Sequence, residues 1–197
     1  MKLITYCILG ALIGVLTAYL RPFSPNTFWS LSDIVNCGGF WITSVCVIIY
    51  LSRDRLQAGT HVLLYLLFMN LSYYLSLFFT IGIFYPNQLI FWSFISILCY
   101  FGAQLVFIGK LDIKYSALIN ALYLSGLLLE TLSLMPLFIR SQTHFLQLAF
   151  DLFSLIFLYF MYNQTPQKKR DSALITFIIV MSFKCSLLLI NQLPLGI

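Results

Sequence analysis

Charge is what this sequence has least of. Its 197 residues include 11 Lys and Arg and 6 Asp and Glu, so 9% are charged, where a soluble globular domain carries about a quarter. That excludes an ordinary soluble domain. Long polar stretches are also missing: the connector NQTPQKKRDS has only ten residues, so there is no room for a soluble catalytic module. Histidine is rare, at two. There is no H-E-x-x-H, no P-loop, no G-x-S-x-G and no S-x-x-K, so the sequence carries none of the zinc-peptidase, nucleotide-binding or acyl-transfer signatures. No haem or quinone signature is present, and no cofactor or metal is expected. The five cysteines never form C-x-x-C. They fall in or beside apolar runs and read as small apolar filler.

Hydrophobic residues take up the space, at 61%. They fall in seven runs, approximately 3–20, 33–51, 61–83, 88–108, 116–139, 144–162 and 173–190. Each approaches the ~20 residues that a membrane-crossing helix needs. The reading is an all-α fold: one integral membrane domain over 1–197, a polytopic helix bundle of about seven transmembrane helices in a lipid bilayer. Turn-forming connectors such as RPFSPNT, YPNQ and RSQT separate the runs. The net charge of +5 does not point to nucleic acid, because the basic residues sit in short loops, as topology signals do. With the N-terminus in the cytoplasm, Lys2, Arg53, Arg55, Lys110, Lys114, Lys168, Lys169 and Arg170 are inside, and only Arg21 and Arg140 are outside. That asymmetry predicts a multi-pass plasma-membrane protein with an extracytoplasmic C-terminus. The first run follows Lys2 but lacks an A-x-A site, so it reads as a retained span.

Three charges remain inside apolar runs: Glu130, Asp151 and Lys184. A charge at membrane depth costs ~2.5–3.5 kcal/mol or more, so such residues usually have a purpose. Counting ~1.5 Å per residue from the outer helix ends puts all three at one level, to within about a helical turn, ~5 Å. The expectation is one outer cluster, with Lys184 as counter-ion to the two acids. Periodicity adds polar stripes: His144, Gln147, Asp151 and Ser154 in one run, Asn70, Tyr73 and Tyr74 in another. Plainer readings stand beside this one. The charges also fit a structural ion pair that fixes register, and Tyr73 and Tyr74 also fit packing aromatics. Gly10, Gly14 and Ala18 form a small-xxx-small series, and Gly38-Gly39 allows a further close crossing or an aromatic placed over a cavity.

The segments GALIGVLTAY (10–19) and SDIVNCGGFW (32–41), the Tyr73-Tyr74 pair and the glutamate of SGLLLETL resemble a family of small bacterial multi-pass membrane proteins described as a domain of unknown function. That resemblance singles out Asn36, Trp41, Tyr73, Tyr74 and Glu130 and implies no activity. The Gly10-x-x-x-Gly14-x-x-x-Ala18 series is also similar to the small-residue patch of substrate-binding subunits of energy-coupling-factor vitamin transporters, which imply ligand capture near the outer face. Those subunits have six spans, one fewer than are counted here.

The expected function is capture or transport of a small solute through an outward-facing polar pocket. Glu130, Asp151 and Lys184 supply its charges, and Tyr73, Tyr74, Asn36 and Trp41 its wall. Two acids against one base suit a cationic or amine-bearing solute, or a proton. A non-transporting partner subunit whose charges meet another membrane protein is the alternative. An intramembrane enzyme, with a carboxylate as general base, is the third class.

Overall fold

A computed structural model describes residues 2–21, 27 and 31–192, with residues 2, 31, 33, 36 and 187–192 described by their backbone alone. Eight helices account for them: α1 (Lys2–Leu20), α2 (Leu31–Asn36), α3 (Gly38–Leu51), α4 (Arg55–Ile81), α5 (Pro86–Lys110), α6 (Ser116–Ser141), α7 (Phe145–Tyr162) and α8 (Pro166–Gln192). No strand occurs among the described residues. Five helices, α1, α4, α5, α6 and α7, are long and apolar enough to cross a membrane. Their outward faces are apolar as well: Leu12, Phe79, Ile90, Phe101, Leu122 and Phe153 are all exposed. A bilayer satisfies such a surface and water does not.

The expected second span, 33–51, is two helices, α2 and α3, interrupted at Cys37. Cys37 is extended (φ −91°, ψ 159°), which leaves α3 with only fourteen residues. The seventh expected span lies inside α8, whose first turns carry the Lys168-Lys169-Arg170 cluster. Helix α4 starts six residues before the expected position 61. The Asp54 side chain accepts from the Gln57 amide at 2.8 Å and caps the helix inside a segment that reads as a polar connector. Pro86 and Pro166 are the first residues of α5 and α8, where a missing amide hydrogen costs nothing.

Helices α1 and α4 run parallel. A Cβ on Gly10 would meet the Tyr65 carbonyl, and one on Gly14 the Met69 carbonyl and the Ser72 hydroxyl. Ala18 continues the row against Tyr74 and Leu77. The small-residue series is therefore an internal seam, taken up by α4. Helix α3 lies inside the bundle, against α4, α5, α6 and α7. Its residues Ile48 and Ile49 pack with Ala58, Val62 and Phe107 on one side, and Cys46 packs with Leu124, Leu127 and Leu158 on the other.

Basic residues at one end of the bundle close helix ends. Lys110 Nζ donates to the Tyr50 and Ser52 carbonyls at 2.7 and 3.0 Å. Lys168 Nζ donates to the Gly109 and Leu111 carbonyls at 2.7 and 3.0 Å. These are the orphan carbonyls that end α3 and α5, and a cation there also opposes the helix dipole. Burial pushes the Lys168 ammonium below the usual lysine value, and the Asp112 carboxylate partly offsets this. Lys168→Met is expected to destabilise the fold by about 2 kcal/mol, because two charge-assisted bonds are lost. Arg170→Ala removes only an exposed pair with Asp171 (3.4 Å) and should cost about 0.5 kcal/mol or less. Thermal unfolding in detergent measures both.

Candidate functional site

The break at Cys37 turns the start of α3 into an open helix N-terminus within the bundle. The first amides of a helix lack internal partners, and the helix dipole places partial positive charge there. Two carboxylates take up this end. The Gly38 amide donates to Glu130 Oε1 at 3.0 Å. Asp151 lies against Gly39 so closely that a Cβ on that residue would clash with Oδ1. On Gly38, a Cβ would come within 3.0 Å of Glu130 Oε2. The Gly38-Gly39 pair is thus what lets Glu130, from α6, and Asp151, from α7, approach the α3 backbone.

Cys37 completes the cluster. Its thiol donates to the Ile34 carbonyl at 2.9 Å, and its Sγ lies 4.0 Å from Asp151 Oδ1. One donor atom from each of Cys37, Glu130 and Asp151 lies within 4.8 Å of the others, a spacing in reach of a metal ion. The neighbouring groups argue against one. A thiol that donates to a carbonyl is not the thiolate that binds metal. One oxygen of Glu130 is already taken by an amide, and a cation would face the positive end of α3. The arrangement suits carboxylates and protons.

Glu130 and Asp151 thus meet, as their common depth predicts. Lys184 does not join them by an ion pair; among the described residues the ion pair found is Arg170–Asp171. Lys184 continues a four-residue row through Lys168, Ser172, Thr176 and Val180, all buried, on a helix that packs against α6. Glu130 turns instead toward α3. The polar stripe of α7 does face inward: Gln147, Asp151 and Ser154 are buried, and Asp151 has no exposed surface. Asp151 Oδ2 and Ser154 Oγ have no hydrogen-bond partner among the described residues.

A cavity of about 550 Å³ lies on the other side of Gly38, between α1, α3, α4 and α5. Trp41, Tyr73, Tyr74 and Trp92 line it, with Ile42, Val45, Leu66, Met69 and Ile95. The indoles of Trp41 and Trp92 are nearly parallel, 6.4 Å between centroids and 11° between planes. Tyr73 and Tyr74 meet edge to face at 5.0 Å. Polar groups in the lining are few. Asn70 Nδ2 donates to Ser96 Oγ at 3.0 Å, and Ser96 Oγ donates to the Trp92 carbonyl at 2.8 Å. The pocket is therefore aromatic and apolar where a polar one is expected. Neither Glu130, Asp151 nor Lys184 lines it; Gly38 is the residue the cavity and the carboxylates share. The Asn36 side chain lies outside the described residues.

Sequence reasoning missed Cys37, which reads as filler, and Trp92 as a cavity residue; the polar stripes did contain Asn70 and Ser96. Gly38-Gly39 was the available signal for the helix break: adjacent glycines inside an apolar run remove two side chains at one place, which a close approach requires. Comparisons with protein-family models, curated proteins and solved structures return no match to this chain.

Proposed function

We propose that this chain is a plasma-membrane protein that captures or transports a small solute, and that the solute occupies the cavity bounded by Trp41, Tyr73, Tyr74 and Trp92. One observation carries the reading: an aromatic-walled space of about 550 Å³ opens onto Gly38, whose amide holds Glu130. Ligand sites of ~300–1,000 Å³ with apolar walls and a few placed polar groups are the usual form of a small-molecule site. Parallel indoles favour a flat or cationic group, since a cation is attracted to the face of Trp. An amine-bearing solute with an apolar or aromatic body fits this wall, with Glu130 behind it.

The seam on α1 supports this reading over that of a partner subunit. Gly10 and Gly14 lie against α4 and offer no small-residue face to another protein. The basic ends supplied by Lys110 and Lys168 support a cytoplasmic N-terminus and an outer cavity. The cavity is lined by Thr17 near the end of α1 and by Gly38 at the start of α3, at the end of the bundle away from those lysines.

Intrinsic fluorescence tests the site, because two of the three tryptophans line the cavity. A panel of aromatic amines added to purified protein should contain a compound that shifts the tryptophan emission and raises the melting temperature. Asn70→Leu should weaken that binding at least tenfold, since it removes the polar group that fixes orientation. Absence of any such compound, or binding indifferent to Trp92→Ala and Asn70→Leu, counts against the cavity. For topology, reporter fusions after Lys114 and after Ile197 should report opposite sides of the membrane.

A further inference from the structure

We infer that Glu130 and Asp151 hold one proton between them, and that a file of buried polar atoms between α3, α6 and α7 leads that proton toward the opposite end of the bundle. The inference goes beyond the solute reading and stands whether or not the cavity takes a solute.

The pair comes first. Oxygens of two carboxyl groups lie within 4.8 Å of one another, and no ion pair reaches either among the described residues. Two carboxylates at such a distance, one of them fully buried, do not both stay ionised; one proton relieves the repulsion and belongs to the pair. The start of α3 stabilises the remaining negative charge, through the Gly38 amide on Glu130 Oε1. The charged and titratable groups of the surrounding elements do not replace the proton. From the α2–α3 break, Cys37 presents a neutral thiol. On α7, His144 stands two turns away, at the N-cap. On α8, Lys184 makes no ion pair with the two acids. The Asp33 side chain on α2 is outside the described residues, and as a carboxyl it would add negative charge.

The file comes second. Asp151 Oδ2, Ser154 Oγ, Thr43 Oγ1 and Tyr123 OH are buried with no partner among the described residues. They come from three helices and follow one another in level along the bundle. Helix α3 runs parallel to α7, since Gly39 meets Asp151 and the Cys46 carbonyl receives the Tyr162 hydroxyl at 2.7 Å. Helix α6 runs against both, since Gly38 meets Glu130 and Asn120 reaches Asn163. Ser154 is then one turn beyond Asp151, and Thr43 one turn beyond Gly39. Tyr123 is two turns beyond Glu130, and its ring meets that of Tyr162, the last residue of α7, at 5.4 Å between centroids. From Asp151 to Tyr162 the helical rise is about 16 Å. Buried hydroxyls and amide oxygens without protein partners are the groups that bind internal water. Water and hydroxyls in one line pass protons by exchanging hydrogen bonds: each oxygen accepts a proton on one side and releases one on the other, so no net bond is made and no co-reactant is needed.

The experiment uses the full chain in liposomes. Infrared spectra at neutral pH should show the carbonyl stretch of a protonated carboxyl, and Asp151→Asn should remove it. With a pH gradient and a potassium diffusion potential imposed, a trapped pH dye should report proton entry faster than in empty liposomes. Asp151→Asn and Glu130→Gln should each slow it at least tenfold. The pair Thr43→Val with Ser154→Ala should slow it as much while leaving the infrared band in place, which a merely structural role would not produce. Leu152→Ala, at an exposed position on α7, should leave the rate unchanged. A wild type with no protonated-carboxyl band overturns the shared proton, as does tight Zn²⁺ binding that Asp151→Asn abolishes. A wild-type rate equal to that of empty liposomes, or a rate indifferent to Thr43→Val with Ser154→Ala, overturns the file.

Discussion

Gly14→Leu is expected to prevent stable folding, with a loss of about 3 kcal/mol or more, at the upper end of the cost of overpacking a filled core. The first added carbon already falls on the Met69 carbonyl and the Ser72 hydroxyl. A side chain could rotate away from that carbon, but a carbonyl held within a helix ladder cannot, so α1 has to move away from α4 along its length. Gly10 would then lose its own close contact with the Tyr65 carbonyl, and Ala18 its place against Tyr74 and Leu77. In a bilayer no hydrophobic force restores the pair, since lipid tails are as apolar as the helix surface; close backbone packing is what holds it. Leu16, two residues on, is exposed, so Leu16→Phe should change stability by about 0.5 kcal/mol or less. Yield and melting temperature in detergent distinguish the two. Equal stability of Gly14→Leu and wild type would show that the α1–α4 seam does not hold the bundle.

The all-helical bundle, the inward stripe of α7 and the meeting of Glu130 with Asp151 were legible in the sequence because each follows from counting. Run length gives a span, spacing gives a face, and the rise per residue gives a depth. What counting does not give is which helix is whose neighbour. Lys184 shares the estimated depth of the two acids, yet its helix packs on α6 with its row of Lys168, Ser172, Thr176 and Val180, while the acids gather at the start of α3. Depth fixes a level in the bundle and leaves the direction around the helix axis open until the neighbour is known.

The break at Cys37 was hidden for a different reason. Residues 33–51 read as one mostly apolar run, and hydropathy does not distinguish a continuous helix from two helices sharing one run. The broken form exists because Glu130 satisfies the Gly38 amide that the break exposes, with Asp151 packed beside it. It is a property of three segments together, and no single segment displays it. The cavity was half legible. Trp41, Tyr73 and Tyr74 stand out as aromatics near polar residues, whereas Trp92 lies among Phe91, Phe94 and Ile95 and looks like one more lipid-facing side chain.

Gly39→Ala should destabilise the protein by about 1–3 kcal/mol, and the loss should be recovered by removing Asp151. The Ala methyl would clash with Asp151 Oδ1. That oxygen ends a short side chain, which turns away instead of forcing the helices apart. The carboxyl then leaves the start of α3, and a buried acid is left without the dipole that favours it. Asp151→Ala in the same chain removes both the clash and the displaced group. A double-mutant cycle should therefore show a coupling of about 1–3 kcal/mol between the two positions. Asp151→Asn keeps the shape of the side chain and should not restore stability. Gly38→Ala is the internal comparison: its methyl would stand 3.0 Å from Glu130 Oε2, at a residue already exposed to the cavity side, so the glutamate needs to yield by only a few tenths of an ångström. The expected order of damage is Gly39→Ala well above Gly38→Ala, read from melting temperatures in one detergent at one pH. If the cycle shows no coupling, Asp151 does not lie against Gly39, and the carboxyl pair at the broken helix is lost as the centre of the molecule.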